Sequence, residues 1–286
     1  YMFKKYGDDI RIINVDALTY AGNLENLKAV EDRSNYTFVK ADITDKEAIA
    51  KIFAENDIDR VVHFAAESHV DRSITGPEIF IETNVKGTLN LLQAAKDAKI
   101  ERYLQVSTDE VYGSLGKTGY FYETTPLAPN SPYSASKASA DLLVRAYYET
   151  YKMPVLNTRC SNNYGPYQYP EKLIPFFISK LLKGEKVPVY GDGLNVRDWL
   201  YVYDHCSAID TVLHNGKIGE IYNIGGHNEK TNIEITKLIL NAMGKDESSI
   251  EYVQDRLGHD RRYAISNDKI QSQLGWEPSL TFEEGI

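Results

Sequence analysis

Short apolar runs recur along the first half of the chain, each leaving through small or polar residues into an amphipathic stretch. Residues 10–15, 36–40, 60–66, 103–106 and 154–159 read as strands, and residues 46–56, 79–95 and 132–151 as helices. Residues 1–6 read as the tail of a helix stopped by Gly7, and residues 24–30 as a further helix behind a capped loop. The strand at 60–66 is expected to be buried, with Val61, Val62 and Phe64 apolar. Strands alternating with helices predict an α/β fold of Rossmann type, a doubly wound parallel sheet. Past Pro166 the strands shorten and the alternation ends. A smaller mixed α/β part is therefore expected over 166–286, interleaved with the part over 1–165. Within it, residues 173–183 read as helix, 188–191 and 222–226 as strand and turn, and Thr231-Asn232 as the cap of a helix through Met243. A Gly/Pro/Thr-rich loop fills 113–131, either an ordered lid or a mobile segment.

Candidate chemistry concentrates between Ser107 and Lys137. Ser107-Thr108-Asp109-Glu110-Val111-Tyr112-Gly113 follows an apolar run, which places it at the carboxyl end of a strand, where open α/β sheets bind ligands. Tyr133-Ser134-Ala135-Ser136-Lys137 follows Pro132 and should form the first turn of a helix. Tyr and Lys four apart share a helix face. A free phenol, with a pKa of about 10, is a poor base at neutral pH. A nearby ammonium favours the phenolate and lowers that value. Spacing alone decides little, because Tyr1/Lys5, Tyr36/Lys40 and Tyr148/Lys152 share it. Only Tyr133 and Lys137 open a helix soon after a polar strand end. Asp109-Glu110 is the second constellation, since paired carboxylates in different environments can serve as acid and base.

Composition narrows the partners. The chain of 286 residues carries 32 Lys and Arg against 41 Asp and Glu, a net charge of −9, with no long basic run, which argues against generic nucleic-acid binding. An anionic substrate would need a local Arg cluster, and guanidinium groups grip phosphate oxygens in bidentate fashion. Arg197 and Arg256 are the candidates. Cys160 and Cys206 are too few for a disulfide framework or a cysteine metal site, and read as free intracellular thiols. No apolar run has the length of a membrane span, so no membrane partner is expected and the location expected is cytoplasmic.

Through Ser-Thr-Asp-Glu-Val-Tyr-Gly and Tyr-Ser-Ala-Ser-Lys the chain resembles the extended short-chain dehydrogenase/reductases, and within them the dTDP-glucose 4,6-dehydratases. The resemblance spans essentially the whole chain, and Thr108-Asp109-Glu110 is its most specific element. It implies NAD as cofactor, a nucleoside-diphosphate hexose such as dTDP-glucose as substrate, and a homodimer. Thr108, Asp109, Glu110, Tyr133 and Lys137 are the implied catalytic groups. Tyr133, assisted by Lys137, would take the proton of the sugar 4-hydroxyl as hydride leaves, and Thr108 would bond the 4-keto oxygen. Glu110 would then remove the C5 proton while Asp109 protonates the departing C6 hydroxyl, and hydride would return to C6. Cofactor contacts implied are Asp16, Leu18 and Thr19 near the ribose, Asp42 and Ile43 at the adenine, Phe64, Ala65, Ala66 and Ser68 in the loop after the third strand, Thr83, Asn163, and Tyr133 with Lys137. An acid rather than Arg at position 16 favours NAD over NADP. Substrate contacts implied are Ser68, Thr108, Asn162, Lys172, Leu173, Pro188, Tyr190, Arg197, Asn232, Asp255, Arg256 and His259. Asn84, a buried amide in need of partners, takes a scaffolding role near the lysine. Leu257 stands where the family usually has Pro.

One departure is larger. No strand and no G-x-x-G-x-x-G precede Asp16 in these residues. That strand would be central, so the parallel sheet should not close without it, and the intact protein is expected to carry such a loop upstream. The chain also stops at Gly285-Ile286 as a helix begins. Two rival readings remain. A nucleotide-sugar 4-epimerase needs the Tyr/Lys pair but no acid and base for elimination. A non-catalytic NAD-sensing module has no reason to keep Tyr133, Lys137, Asp109 and Glu110 together.

Overall fold

The computed structural model describes residues 1–286. In chain order the first elements are α1 (Met2–Tyr6), β1 (Ile12–Asp16), β2 (Tyr36–Lys40), α2 (Lys46–Glu55), β3 (Arg60–His63), α3 (Val70–Thr75), α4 (Glu78–Phe80), a π-helical stretch (Ile81–Gly87), α5 (Thr88–Asp97) and β4 (Arg102–Thr108). A 3₁₀ turn (Asp109–Tyr112) follows, then α6 (Pro132–Tyr151), β5 (Val155–Cys160), β6 (Asn162–Tyr164), α7 (Leu173–Leu182), β7 (Val187–Tyr190), β8 (Val196–Tyr201), α8 (Val202–Asn215) and β9 (Ile221–Ile224). The chain ends with β10 (Glu229–Thr231), α9 (Asn232–Ala242), β11 (Ile250–Val253), α10 (Asp268–Leu274) and α11 (Phe282–Gly285).

Two compact units divide these elements. One comprises residues 1–107, 131–158 and 209–221, the other residues 108–130, 159–208 and 222–286. In the first, β1 and β2 pair in parallel with Ile12 opposite Tyr36. Separately, β3 pairs with β4 in parallel, with Arg60 opposite Arg102. These strands thus form two separate ladders. Ile49, Leu92, Tyr103, Val144 and Val155 make the core of this unit, with Ile13, Val15 and Val39 packed against it.

Several expectations shift. Residues 24–30 hold only a 3₁₀ turn, Leu24–Leu27, closed by the Asn23 side chain on the Glu25 N–H; no residue of it is buried, so nothing packs a longer helix. The third strand stops at His63, and Phe64 is 59% exposed rather than buried. Because β3 lies at the edge of its sheet, Val61 and Val62 are only half-buried. The long helix at 79–95 takes π geometry over Ile81–Gly87, in its first half. There Gly87 lies against Ile43, where an added Cβ would come within 2.5 Å of the isoleucine side chain. Such widened turns recur at functional positions.

α6 begins where the residues dictate. Ser131 caps it, Ser134 returns the bond to the Ser131 N–H, and Pro132 takes the first turn, where its missing N–H leaves no bond unmade. In the second unit, β8 sits between β10 and β6, and β7 pairs with β11 in parallel. Its core gathers Tyr164, Phe177, Val187, Trp199, Ile235 and Phe282. The loop at 113–131 is ordered: Phe121 is buried and its N–H donates to the Ala264 carbonyl, while the Ala128 N–H donates to Val111.

Candidate active site

In the first unit, the opening turns of α6 bring Tyr133 and Lys137 to its buried face. The Lys137 ammonium, 4% exposed, donates to the Val106 carbonyl at 2.8 Å. Tyr133 is buried edge-on against Phe80, with ring centroids 6.4 Å apart. A hydrogen-bonded frame holds this turn. Asn84 accepts from the Glu67 N–H at 2.8 Å and donates to the Glu67 carbonyl at 2.9 Å and to the Ser136 hydroxyl at 2.8 Å. Ser136 in turn donates to the Tyr133 carbonyl at 2.7 Å. His63, at the end of β3, is bonded to the Thr88 hydroxyl at 3.0 Å, and burial, aided by the Lys137 ammonium, pushes its pKa down to about 3. His63 is therefore neutral.

The expected cofactor residues of this unit line successive strand ends. Asp16 is exposed at the end of β1, with one oxygen accepting the Leu18 N–H at 2.7 Å; Leu18 takes a left-handed conformation, φ 51°, and Thr19 follows it. Asp42, after β2, accepts from the Thr44 N–H and hydroxyl, both at 2.8 Å. Ile43 buries its side chain in the core, so only its main chain can meet a ligand. Phe64 is exposed, Ala65, Ala66 and Ser68 are half-buried after β3, and Thr83 is half-buried in the π stretch. Two carboxylates at neighbouring strand ends, followed by small residues that let a backbone approach, fit the riboses and base of a dinucleotide.

The second unit carries the acidic turn. Thr108 accepts the Glu110 N–H at 3.2 Å and lies 3.4 Å from Asp109 Oδ1. Asp109 is 1% exposed, and its Oδ2 is buried without a hydrogen bond. Burial, then the charges of Glu110 and Asp198, raise the Asp109 pKa well above the usual carboxylate range. Glu110 is also raised by burial, but Arg256, Arg197 and Lys172 pull against that. The two adjacent carboxyls therefore differ in environment, and Asp109 is the one more disposed to hold a proton.

Arg197 is drawn inward rather than left open to solvent. It is a buried residue of β8, its guanidinium donating to the carbonyls of Val196 at 2.7 Å and Asp260 at 3.0 Å and lying 4.3 Å from the Tyr263 ring centroid. The half-buried Arg256 lies in the following polar loop, where Asp255 bonds His259 Nδ1 at 2.6 Å. Burial and the Arg256 charge lower the His259 pKa to about 4. Tyr190, at the end of β7 with Pro188 in the same strand, meets His259 edge-on at 6.1 Å. Lys172 and Leu173 stand at the start of α7, Asn232 at the start of α9, and Asn162 and Asn163 in β6. Asn163 bonds His205 Nδ1 at 2.9 Å.

Residues 1–286 match the profile of the GDP-mannose 4,6 dehydratase family. The chain belongs to that family. It is 57% identical to a dTDP-glucose 4,6-dehydratase of Xanthomonas campestris pv. campestris, over 97% of this chain and 84% of that protein. It is 55% identical to the low-salt glycan biosynthesis protein Agl12 of Haloferax volcanii, over 97% and 88% respectively. The crystal structure of DesIV, a dTDP-glucose 4,6-dehydratase of Streptomyces venezuelae, with NAD and dTDP bound, superposes with a TM-score of 0.94 at 52% identity, covering 96% of this chain and 84% of that one. The shared fold is the parallel-sheet Rossmann-type α/β architecture.

Three residues of this family member escaped the sequence reading. Asp260 accepts from Arg197 through its carbonyl and from Asn130 and Tyr263 through its carboxylate, at 2.6 and 2.5 Å. Tyr263 underlies the Arg197 guanidinium. Asp198, fully buried, holds the Gly226 and Asn228 N–H groups at 2.8 and 2.7 Å, and its charge acts on Asp109. The run 255–263 is dense in polar residues, but it has no regular period to say which members turn inward.

Proposed function

We propose that the chain is an NAD-dependent dTDP-glucose 4,6-dehydratase, forming the dTDP-4-keto-6-deoxy sugar by oxidation at C4, loss of water across C5–C6 and reduction at C6. Bound NAD would supply the hydride acceptor for C4 and the hydride donor for C6. Tyr133, beside the Lys137 ammonium, receives the 4-hydroxyl proton, and the Thr108 hydroxyl bonds the 4-keto oxygen. That ketone acidifies C5–H; Glu110 takes the proton, Asp109 gives its own to the leaving C6 hydroxyl, and Glu110 returns a proton to C5 when C6 is reduced. Asp16, with Asp42, binds the adenosine part of the dinucleotide, and Arg256 faces the substrate diphosphate.

The observation that carries this reading is the Asp109–Glu110 pair. One carboxyl is buried, with an unbonded oxygen and a pKa pushed well up. Its neighbour is drawn back towards the ionised form by Arg256, Arg197 and Lys172. Acid and base side by side serve an elimination, and a 4-epimerase has no use for them. Turnover of dTDP-, UDP-, GDP- and CDP-glucose, compared side by side with product analysis, tests both the reaction and the nucleobase; dehydration of the dTDP sugar in preference to the others is expected.

A homodimer in the cytoplasm completes the proposal. Ile79, Ile81 and Leu89, along α4, the π stretch and α5, and Leu142 of α6 leave apolar side chains exposed in a form that suits a second copy. Cys160 and Cys206 form no disulfide, as suits a reducing compartment.

A further inference from the structure

We propose that Tyr112 is a positioning residue for the Asp109–Glu110 turn, setting the elimination step without touching the sugar. The inference rests on the dehydratase reading. The turn that carries both carboxyls is a short 3₁₀ segment, Asp109–Tyr112, whose closing main-chain bond, Gly113 N–H to the Glu110 carbonyl, is long at 3.3 Å. Such a turn is weakly held by its own backbone. Its last residue supplies the anchor. The Tyr112 phenol is 2% exposed, donates to Asn223 Oδ1 at 2.8 Å and accepts from Arg159 Nη1 at 2.9 Å, so it serves as donor and acceptor at once. The ring stacks on Phe121 at 5.0 Å, and the Arg159 guanidinium carbon lies 4.8 Å from the ring centroid.

The partners are themselves fixed. Arg159 belongs to β5 and Asn223 to β9, and both are buried. The Asn223 N–H donates to Glu123 Oε1 at 2.8 Å, and its amide donates to the Phe121 carbonyl at 3.2 Å. Gly113 closes the other side, at φ 89° and with the Ala128 carbonyl 2.5 Å from where a Cβ would stand. Two strands thus pin the end of the turn through one phenolic oxygen. Removing that oxygen leaves the ring packing in place and frees Asp109 and Glu110, earlier in the turn, to shift.

The test uses the full chain with dTDP-glucose and NAD, well below the thermal midpoint of each variant. Failure of the unaltered chain to form a 4-keto-6-deoxy product would overturn the dehydratase reading and this inference with it. Given wild-type turnover, Tyr112→Phe should slow product formation by about ten-fold, the scale set by small misplacements of a reacting group. Initial C4 oxidation should stay within about two-fold, so reduced nicotinamide should accumulate, seen by its near-ultraviolet absorbance. The half-buried Glu123 offers a milder second variant, and Glu123→Ala should give a smaller accumulation of the same kind. Unchanged turnover in both, or a loss of rate with no accumulation of reduced nicotinamide, would overturn the role assigned to Tyr112.

Discussion

The Lys137 ammonium donates to the main-chain carbonyl of Val106 at 2.8 Å, two residues before Thr108 on the same strand. A buried cation anchored at the end of β4 is held where it can act on the phenol one helical turn earlier. Lys137→Met should slow initial C4 oxidation by about 100-fold, within the range for losing general acid–base assistance, while dTDP-glucose still binds. Single-turnover appearance of reduced nicotinamide checks this, and an unchanged rate would remove Lys137 from the redox step.

The two carboxyls predict opposite limbs of a pH profile. Glu110 must be ionised to take the C5 proton, so elimination should fail as pH drops through its raised pKa, above the ordinary 4.5. Asp109 must be protonated to release the C6 hydroxyl, so elimination should fail as pH rises through its own raised value. Glu110→Gln should stall the reaction with reduced nicotinamide trapped at every pH. Rate–pH profiles of wild type and variant, read by product formation, separate the two limbs.

Asp109 should also weaken the fold at neutral pH. Its folded pKa is raised above the ordinary 3.8. The stability it contributes is therefore present below that value and lost as pH rises through the folded pKa. Asp109→Asn should raise the thermal midpoint at pH 7 and lose that advantage towards pH 4, while activity falls. A midpoint that drops at both pH values would mean the carboxyl is structurally required.

His63 runs the other way. Its folded pKa, near 3, lies below the ordinary 6.5, so its contribution is present above 6.5 and lost as pH falls towards 3. His63→Gln should flatten the loss of denaturant stability between pH 6.5 and 4, measured by urea midpoints.

Asn84 joins Glu67 to Ser136 by three bonds. Asn84→Ala leaves those buried groups unpaired and should lower stability by about 3 kcal/mol, read from urea unfolding. It should also slow C4 oxidation, because Ser136 holds the Tyr133 carbonyl.

Much of this was readable from residue order. The strand at 36–40 and the helix at 132–151 appear with the expected bounds, because alternation and the Ser131-Pro132 start are local signals. The segment after Leu24 shortened because nothing packs on it, and Phe64 turned out exposed because the strand stops at His63, before it. The π stretch was not legible either, since no residue pattern over 81–87 marks a widened turn. Asp109-Glu110 and Tyr133/Lys137 were legible because the chemistry resides in short contiguous motifs. Arg197 was found, but not its burial on Tyr263 and the Asp260 carbonyl, because those contacts join two segments more than sixty residues apart.

The central claim is that hydride taken from C4 returns to C6 after water is lost. dTDP-glucose carrying deuterium at C4, incubated with the full chain and NAD, tests it by nuclear magnetic resonance of the product. The account predicts a 4-keto-6-deoxy sugar with deuterium at C6. Deuterium retained at C4 of an inverted hexose would contradict it.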